Sequence, residues 1–230
     1  MRNNQKVASL VIAVVLGACS DRVVPTALRD LPLLTFDATA AATSSTTDPI
    51  GDASLNTKSN VGPGADAKVP DYLDIVRAEI SKSGQTFALT MNVAGSVPAV
   101  PADASGRLGT QSWLWGLDTD PTTAPQGGFL PPGQPHPAEF FIAVTWDGTL
   151  FSAALFDRRP ALSGGDPSIT PVPFTIAGTE VRVSLEARAL GDPATFGWGA
   201  ATITRHSHYS SEGFQELDRA PDAAWVIWPQ

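Results

Sequence analysis

Hydrophobic and polar residues alternate along much of this chain with a period of two. The clearest case is residues 86–93, whose apolar members are Phe87, Leu89, Met91 and Val93. Residues 76–80 alternate in the same way, and Gly84 lies between the two segments, where a tight turn needs a positive φ. Since neighbouring side chains of a strand point to opposite faces, each segment has one apolar face. The pattern predicts a β-hairpin whose apolar face must be covered by a second sheet.

Further strands are predicted downstream. Residues 112–117 are apolar on nearly both sides, which is typical of a central strand. Residues 140–146 lead through Asp147-Gly148, a strong hairpin signal, into a return strand at 149–156 whose composition suggests burial on both faces. The remaining predicted strands are 174–176, 181–185, 196–204 and 225–228. The segments 121–138, 157–173 and 205–219 are predicted to be loops, because proline, glycine or polar residues dominate them.

These elements define the fold class. About eight short strands separated by glycine and proline turns, with no convincing amphipathic helix, predict an all-β protein. We expect a two-sheet antiparallel β-sandwich with a jelly-roll-like strand order. Its stability must come from apolar burial, because Cys19 is the single cysteine of the 230 residues and cannot pair within the chain.

The N-terminus has the form of a targeting segment. Arg2 and Lys6 precede an apolar run of ten residues, 7–16, which is broken only by Ser9. That run is too short for a transmembrane helix, which needs about 20 apolar residues. It ends in Leu16-Gly17-Ala18-Cys19, which resembles the bacterial lipobox.

The lipobox resemblance implies that residues 1–18 are a lipoprotein signal peptide and that Cys19 becomes acylated. Two or more acyl chains make membrane attachment stable. Ser20 follows the cysteine where an aspartate would favour the inner membrane, so a Gram-negative source would place the protein in the outer membrane. We therefore expect a cell-envelope protein that is anchored to the membrane through lipid on Cys19.

The net negative charge of the chain limits the kinds of molecule that it is expected to bind. The chain carries a net charge of −8, and loss of residues 1–18 would leave 13 basic and 23 acidic side chains. Such a surface repels phosphate backbones, so nucleic-acid binding is not expected. A polysaccharide or another envelope protein remains as a partner.

The segment before the first predicted hairpin is poor in large apolar residues. Alanine, threonine, serine, aspartate, glycine and asparagine dominate residues 37–68, and such composition cannot offset the entropy of ordering. We expect a lipid-anchored flexible tether at 19–47 and a folded domain at 48–230. Alternatively, residues 48–52 form an ordered loop that folds back on the domain. The apolar residues 31–36 would allow one additional edge strand.

Several short motifs follow one another in a recognisable order. They are Asp71-Tyr72-Leu73-Asp74-Ile75, Leu117-Asp118-Thr119-Asp120-Pro121, Leu190-Gly191-Asp192-Pro193, Phe196-Gly197-Trp198 and Ala220-Pro221-Asp222. In this order they resemble bacterial relatives of DOMON domains and of family 9 carbohydrate-binding modules, over about residues 48–230. The resemblance implies a β-sandwich, and such sandwiches serve in sugar, haem or calcium binding or in structural roles.

Aspartates near predicted strand ends suggest a calcium site. The candidate ligands are Asp52, Asp71, Asp74, Asp118 and Asp120, with Asp48 as a further member. Calcium takes six to eight oxygen ligands, and Asp-x-Asp at a strand end directs two carboxylates into one loop. The alternative is that these aspartates only stabilise turns by bonding to local backbone N–H groups.

The six tryptophans divide into two groups. Trp113, Trp115 and Trp146 lie within apolar alternation and are expected in the core. Trp198, Trp225 and Trp228 lie near segment ends and are the candidates for an exposed, sugar-stacking surface.

No catalytic motif is evident. The chain has no Gly-x-Ser-x-Gly, no His-Glu-x-x-His and no glycine-rich phosphate loop beside a helix. We therefore expect a non-catalytic β-sandwich binding or structural module, with calcium as its candidate stabilising ion. The alternative is a carbohydrate-binding module at the cell surface.

Overall fold

Strands pair side by side into two sheets over most of the chain. The computed structural model describes residues 42–54, 69–101, 109–120, 138–205, 214–222 and 225–230. The strands are β1 (Ala42–Thr47), β2 (Ile75–Ser83), β3 (Thr86–Val93), β4 (Thr110–Asp118), β5 (Phe140–Trp146), β6 (Phe151–Asp157), β7 (Ser168–Pro171), β8 (Phe174–Ala177), β9 (Glu180–Glu186), β10 (Phe196–Arg205), β11 (Phe214–Ala220) and β12 (Val226–Trp228). The short helical elements are 3-10 turns at Asp71–Leu73 and Ala187–Leu190 and helix α1 at Arg159–Leu162. Within the described ranges, no helix has the length and hydrophobicity to cross a membrane.

The two sheets pack face to face. The five-stranded sheet has the order β1-β2-β3-β9-β8, and the second sheet has the order β11-β10-β4-β5-β6-β7, with β12 also pairing with β10. All of these pairings are antiparallel. The predicted all-β, two-sheet antiparallel sandwich is therefore confirmed.

The predicted first hairpin is formed by β2 and β3. Ser83 pairs with Thr86 across the turn, and Gly84 has a φ of +56°. Ile80 lies opposite Leu89 in the register, and both are fully buried. The alternating apolar set thus faces the second sheet, as the period of two requires.

The core lies between the sheets and is rich in aromatic rings. Trp113 and Trp115 of β4 are fully buried, and Trp146 is almost so, as expected. β4 is flanked by β5 and β10, so its predicted central position is confirmed. The predicted burial of both faces of the return strand is wrong. In β6 only Ala153 and Leu155 are buried, because the strand lies beside the fully exposed edge strand β7.

The sequence underestimates the number of strands, since twelve are present in the described ranges. The strands that were not predicted are β1, β7 and β11, and all three lie at sheet edges. Two of them replace predicted loops at 157–173 and 205–219. An edge strand has one neighbour and few buried positions, so ladder hydrogen bonds rather than apolar alternation stabilise it.

The boundary of the folded domain also needs correction. Ala42–Thr47, expected in the flexible tether, form β1 and pair with β2 from Ala42↔Lys82 to Thr47↔Arg77. Residues 48–54 are an ordered loop against the domain, which was the alternative expectation. The rest of the expected tether, Cys19 and residues 31–36 lie outside the described residues.

Candidate functional site

Five aspartates gather where the loop after β1 meets the rest of the sandwich. Asp48 and Asp52 belong to the loop, Asp74 follows the first 3-10 turn, Asp218 lies in β11, and Asp222 follows β11. We call this set the aspartate cluster. Three separate segments of the chain contribute to it, so its formation requires the tertiary fold.

Backbone hydrogen bonds hold the loop in place against both sheets. The N–H of Asp48 donates to the carbonyl of Val76 in β2 at 3.0 Å. The N–H of Ser54 donates to the carbonyl of Leu217 in β11 at 2.7 Å. Since β2 and β11 belong to different sheets, the loop that carries Asp48 and Asp52 bridges the open side of the sandwich.

The cluster consists of two triads that share one residue. Asp48, Asp52 and Asp222 form the first triad, and Asp52, Asp74 and Asp218 form the second. Within each triad, one carboxylate oxygen from every residue lies within 4.8 Å of the others. Asp52 and Asp222 are exposed, whereas the other three aspartates are buried.

Each triad contains a buried carboxylate oxygen without a hydrogen-bond partner. Oδ2 of Asp48 and Oδ1 of Asp74 are both unpartnered, and the two side chains belong to residues that are only 8% and 3% exposed. The other oxygen of Asp74, Oδ2, accepts the N–H of Gly51 at 2.7 Å. A buried acceptor without a partner costs about 1–3 kcal/mol, so a ligand for these oxygens would stabilise the fold.

The electrostatic environment is unfavourable for so many negative charges. Burial, with repulsion from Asp218, Asp52 and Asp222, raises the pKa of Asp48 to about 8. Burial also raises the pKa of Asp218 to about 6, although the N–H groups of Ile75 and Arg219 oppose the shift. The side chains of Asp48 and Asp218 share a hydrogen bond, which requires a proton between two carboxyl groups.

The pKa of Asp74 is raised as well. Burial raises its pKa, and Asp52 and Asp71 add repulsion, while N–H groups of the loop act in the opposite direction. No basic side chain is among the main influences on the pKa of Asp48, Asp74 or Asp218. Among the described residues, the groups that act on these carboxyls thus favour neutralisation of the cluster by protons or by a bound cation.

The donor set fits a hard divalent cation. All of the side-chain donors are carboxylate oxygens, which calcium prefers at about 2.3–2.6 Å. Two ligands on opposite sides of such an ion are about 4.6–5.2 Å apart, so the oxygens of each triad, all within 4.8 Å of one another, are close enough to bind one ion. The triads contain neither histidine nor cysteine, so the set does not resemble the usual sites for zinc or copper.

The structure brings together only part of the predicted ligand set. Asp52, Asp74 and Asp48 belong to the cluster, but Asp71, Asp118 and Asp120 belong to neither triad. Asp71 instead uses its backbone carbonyl, which accepts the N–H groups of Asp74 at 3.3 Å and Gly95 at 2.9 Å. A single site that includes all the predicted aspartates is therefore wrong.

The position of Asp118 follows from the strand register. Thr202 of β10 pairs with Asp218 on one side and with Trp113 of β4 on the other, so Asp218 and Trp113 lie at the same level across the sheet. Asp118 is five residues further along β4 than Trp113. At about 3.3 Å per residue this is a separation of about 16 Å. The chain beyond Asp118 has a different role, since the N–H groups of Thr119 and Asp120 donate to Oε2 of Glu139 at 2.6 and 3.2 Å.

Asp218 and Asp222 were not among the predicted ligands. Asp218 lies in the segment 205–219, which was expected to be a loop, and it is separated from Asp74 by 143 residues of sequence. No local pattern indicates such a long-range contact. Asp222 stands in the Ala220-Pro221-Asp222 motif, which was noted for the resemblance but not as a metal ligand.

Two of the three tryptophans expected at the surface are in the core. Trp198 is fully buried and Trp228 is 3% exposed. Trp228 stacks on Phe196 with ring centroids 5.9 Å apart, and the indole N–H of Trp198 donates to Ser44. Both side chains are on the inner face of the sandwich, so the prediction of their exposure is wrong.

Trp225 is half-buried and lies across the outer face of the second sheet. Glycines face its ring there: a Cβ at Gly197 would lie 3.3 Å from Trp225 Cβ and Cγ, and one at Gly116 would lie 3.4 Å from Cη2. The ring borders a groove that is otherwise lined by Leu114, Phe141, Ala200, Ala201, Glu216, Arg219 and Pro221, with glycines in its floor. We call this the Trp225 groove.

Comparison of the chain with protein-family models gives no match, and comparison with curated proteins gives none either.

Proposed function

We propose that this chain is a non-catalytic β-sandwich module of the bacterial cell envelope that is stabilised by calcium at the aspartate cluster. The observation that carries the proposal is the pair of buried, unpartnered carboxylate oxygens on Asp48 and Asp74. These oxygens lie on side chains of the two triads, and no basic side chain is prominent among the influences on them.

The cation would act as a structural link. Its ligands come from the loop after β1, from Asp74 just before β2, and from β11 and the residues after it. β1 and β2 belong to one sheet and β11 to the other. Such a link would reinforce the hydrogen bonds that hold the loop on this side of the sandwich. Because the cation binds the folded chain and not the unfolded one, it raises the free energy of unfolding in proportion to the logarithm of its concentration.

The role in the envelope rests on the N-terminal motif. Acylation of Cys19 would hold the domain at a membrane surface, and the cation site would fix the loop that follows β1. In this role the module acts through binding or structure, with a polysaccharide or another envelope protein as partner.

Thermal unfolding of the full chain tests the proposal. We expect the melting temperature to rise on addition of 1–5 mM calcium after treatment with a chelator, by several degrees, because about 2.7 kcal/mol is gained at a hundredfold excess over Kd. Asp52→Asn removes the residue that both triads share, and since Asp52 is exposed the substitution leaves the core intact. This variant should lose most of the calcium-dependent shift.

The matched control is Asp166→Asn, which removes the same charge from an exposed aspartate outside the cluster. It should retain the shift of the unaltered chain. Absence of any calcium-dependent change in melting temperature in the unaltered chain would refute calcium stabilisation.

A second candidate function is carbohydrate binding in the Trp225 groove. One specific feature favours it: an aromatic ring borders the same groove as the ion pair between Arg219 and Glu216, whose Nη2 and Oε1 are 2.6 Å apart. Aromatic faces stack on sugar rings, and planar charged groups bond to hydroxyls. Trp198 and Trp228 are not available for this role, because they are buried.

Affinity electrophoresis in gels containing soluble polysaccharides tests this candidate. Retardation of the full chain that is lost in Trp225→Ala and retained in Trp228→Phe would support it. Equal mobility of the full chain with and without each polysaccharide would count against it.

A further inference from the structure

The aspartate cluster has more negative charge than one divalent cation can neutralise. Its five carboxylates carry five charges when ionised, so a single calcium would leave three of them uncompensated, whereas two would leave one. Uncompensated charges in a partly buried site are costly, because the low local dielectric strengthens their repulsion.

The geometry also divides the cluster into two halves. Asp48 and Asp222 lie near Asp52 in one triad, and Asp74 and Asp218 lie near Asp52 in the other. Among the described residues, no four or five of these carboxylates bring one oxygen each within 4.8 Å of all the others. The five carboxylates therefore form two close groups of three that share Asp52, and each group offers a binding position of its own.

Each half has its own unsatisfied acceptor. Asp48, 8% exposed, contributes an unpartnered Oδ2 in the first triad, and Asp74, 3% exposed, contributes an unpartnered Oδ1 in the second. A single cation in one triad would leave the buried oxygen of the other triad without a partner. The two orphaned oxygens are thus independent indications of two binding positions.

We infer that the cluster binds two divalent cations side by side, one in each triad, with the carboxylate of Asp52 bridging them. The inference rests on the proposed calcium site and adds its stoichiometry and the role of Asp52. Asp52 is suited to bridging, because it is the one residue common to both triads and its side chain is exposed. Proteins are known to hold two divalent ions about 3.5–4 Å apart in one site.

The bridging geometry makes different residues responsible for different ions. Asp222 belongs only to the first triad and is exposed, so its substitution should remove one ion without disturbing the core. Asp52 belongs to both triads, so its substitution should weaken both ions. Asp166, outside the cluster, should affect neither.

Native mass spectrometry and calorimetric titration with calcium chloride test the inference on the full chain in detergent. We expect two bound calcium ions in the unaltered chain and in Asp166→Asn, one in Asp222→Asn, and at least tenfold weaker binding of both in Asp52→Asn. One ion in the unaltered chain would overturn the two-ion inference and leave the proposed calcium stabilisation standing. No bound ion would overturn both, and two ions retained in Asp222→Asn would overturn the assignment of the first triad.

Discussion

The indole N–H of Trp198 donates to the hydroxyl of Ser44 at 2.9 Å, inside the sandwich. The same hydroxyl donates to the carbonyl of Ile227 at 3.0 Å. Ser44 lies in β1 at the edge of the five-stranded sheet, whereas Trp198 and Ile227 lie in β10 and β12 of the other sheet. One small polar side chain therefore ties the polar edge strand to the opposite layer.

Replacement of Ser44 by alanine should destabilise the protein by about 1–3 kcal/mol, because it leaves the buried indole N–H of Trp198 without an acceptor. Urea unfolding followed by tryptophan fluorescence measures the change. Thr43→Ala, at an exposed position of the same strand, should change the free energy of unfolding by only about 0.5 kcal/mol. In the background of Trp198→Phe, which lacks the donor, the effect of Ser44→Ala should shrink; an undiminished effect would contradict the role of this bond.

Stability of the calcium-free protein should fall as pH rises from about 5 to 8. In the folded chain the pKa of Asp48 is about 8 and that of Asp218 about 6, against 3.8 for the unfolded reference, so the folded state binds more protons over this window. The free energy of unfolding then decreases with pH. Asp147 and Asp157 have lowered pKa values and are ionised throughout this window in both states.

Urea unfolding in the presence of a chelator at pH 5, 6.5 and 8 measures this dependence. Asp48→Asn lacks the titratable carboxyl at position 48, so the stability of this variant should depend less on pH. Calcium should stabilise the chain more at pH 8 than at pH 5, because ionised carboxylates bind the cation and protons compete with it. Stability that rises with pH in the chelator would show that these carboxyl groups are not buried in protonated form.

Substitution of Gly197 by alanine should displace Trp225 from the outer face of the second sheet. The added Cβ would lie 3.3 Å from Cβ and Cγ of Trp225, closer than packed atoms normally come. Iodide quenching of tryptophan emission should therefore increase. Gly199→Ala is the matched control on the same strand, since its Cβ would lie 3.6 Å from the ring, at ordinary contact distance. Equal quenching in the two variants would mean that Gly197 does not position the ring.

The proposed lipid anchor on Cys19 predicts a clear fractionation result. If Cys19 is acylated, the full chain should partition with membranes and its mass should include the acyl groups on the N-terminal cysteine. Cys19→Ser should yield a chain that is found in the soluble fraction, because no other cysteine offers an acylation site. Membrane association unchanged by this substitution would refute anchoring through Cys19.

The alternation of apolar residues determined the layered architecture, the first hairpin and the central position of β4. These features depend on nearest neighbours along the chain, since a period of two puts one face of each strand against the core. The same rule did not find β1, β7 and β11, because edge strands bury few side chains and rely on backbone pairing with one neighbour.

The candidate cation site was likewise predictable from the sequence only in part. Asp52 and Asp74 were recognisable from the sequence as oxygen ligands in loops near strands, but nothing local distinguished them from Asp118 and Asp120. Only the fold brings Asp218 to within a few ångströms of Asp52, because β11 pairs with β10 beside the loop after β1. Similarly, only packing decides that Trp198 is buried while Trp225 borders a groove. Sequence periodicity records which side chains avoid water, whereas a ligand set drawn from distant segments exists only once long-range strand pairing has placed those segments side by side.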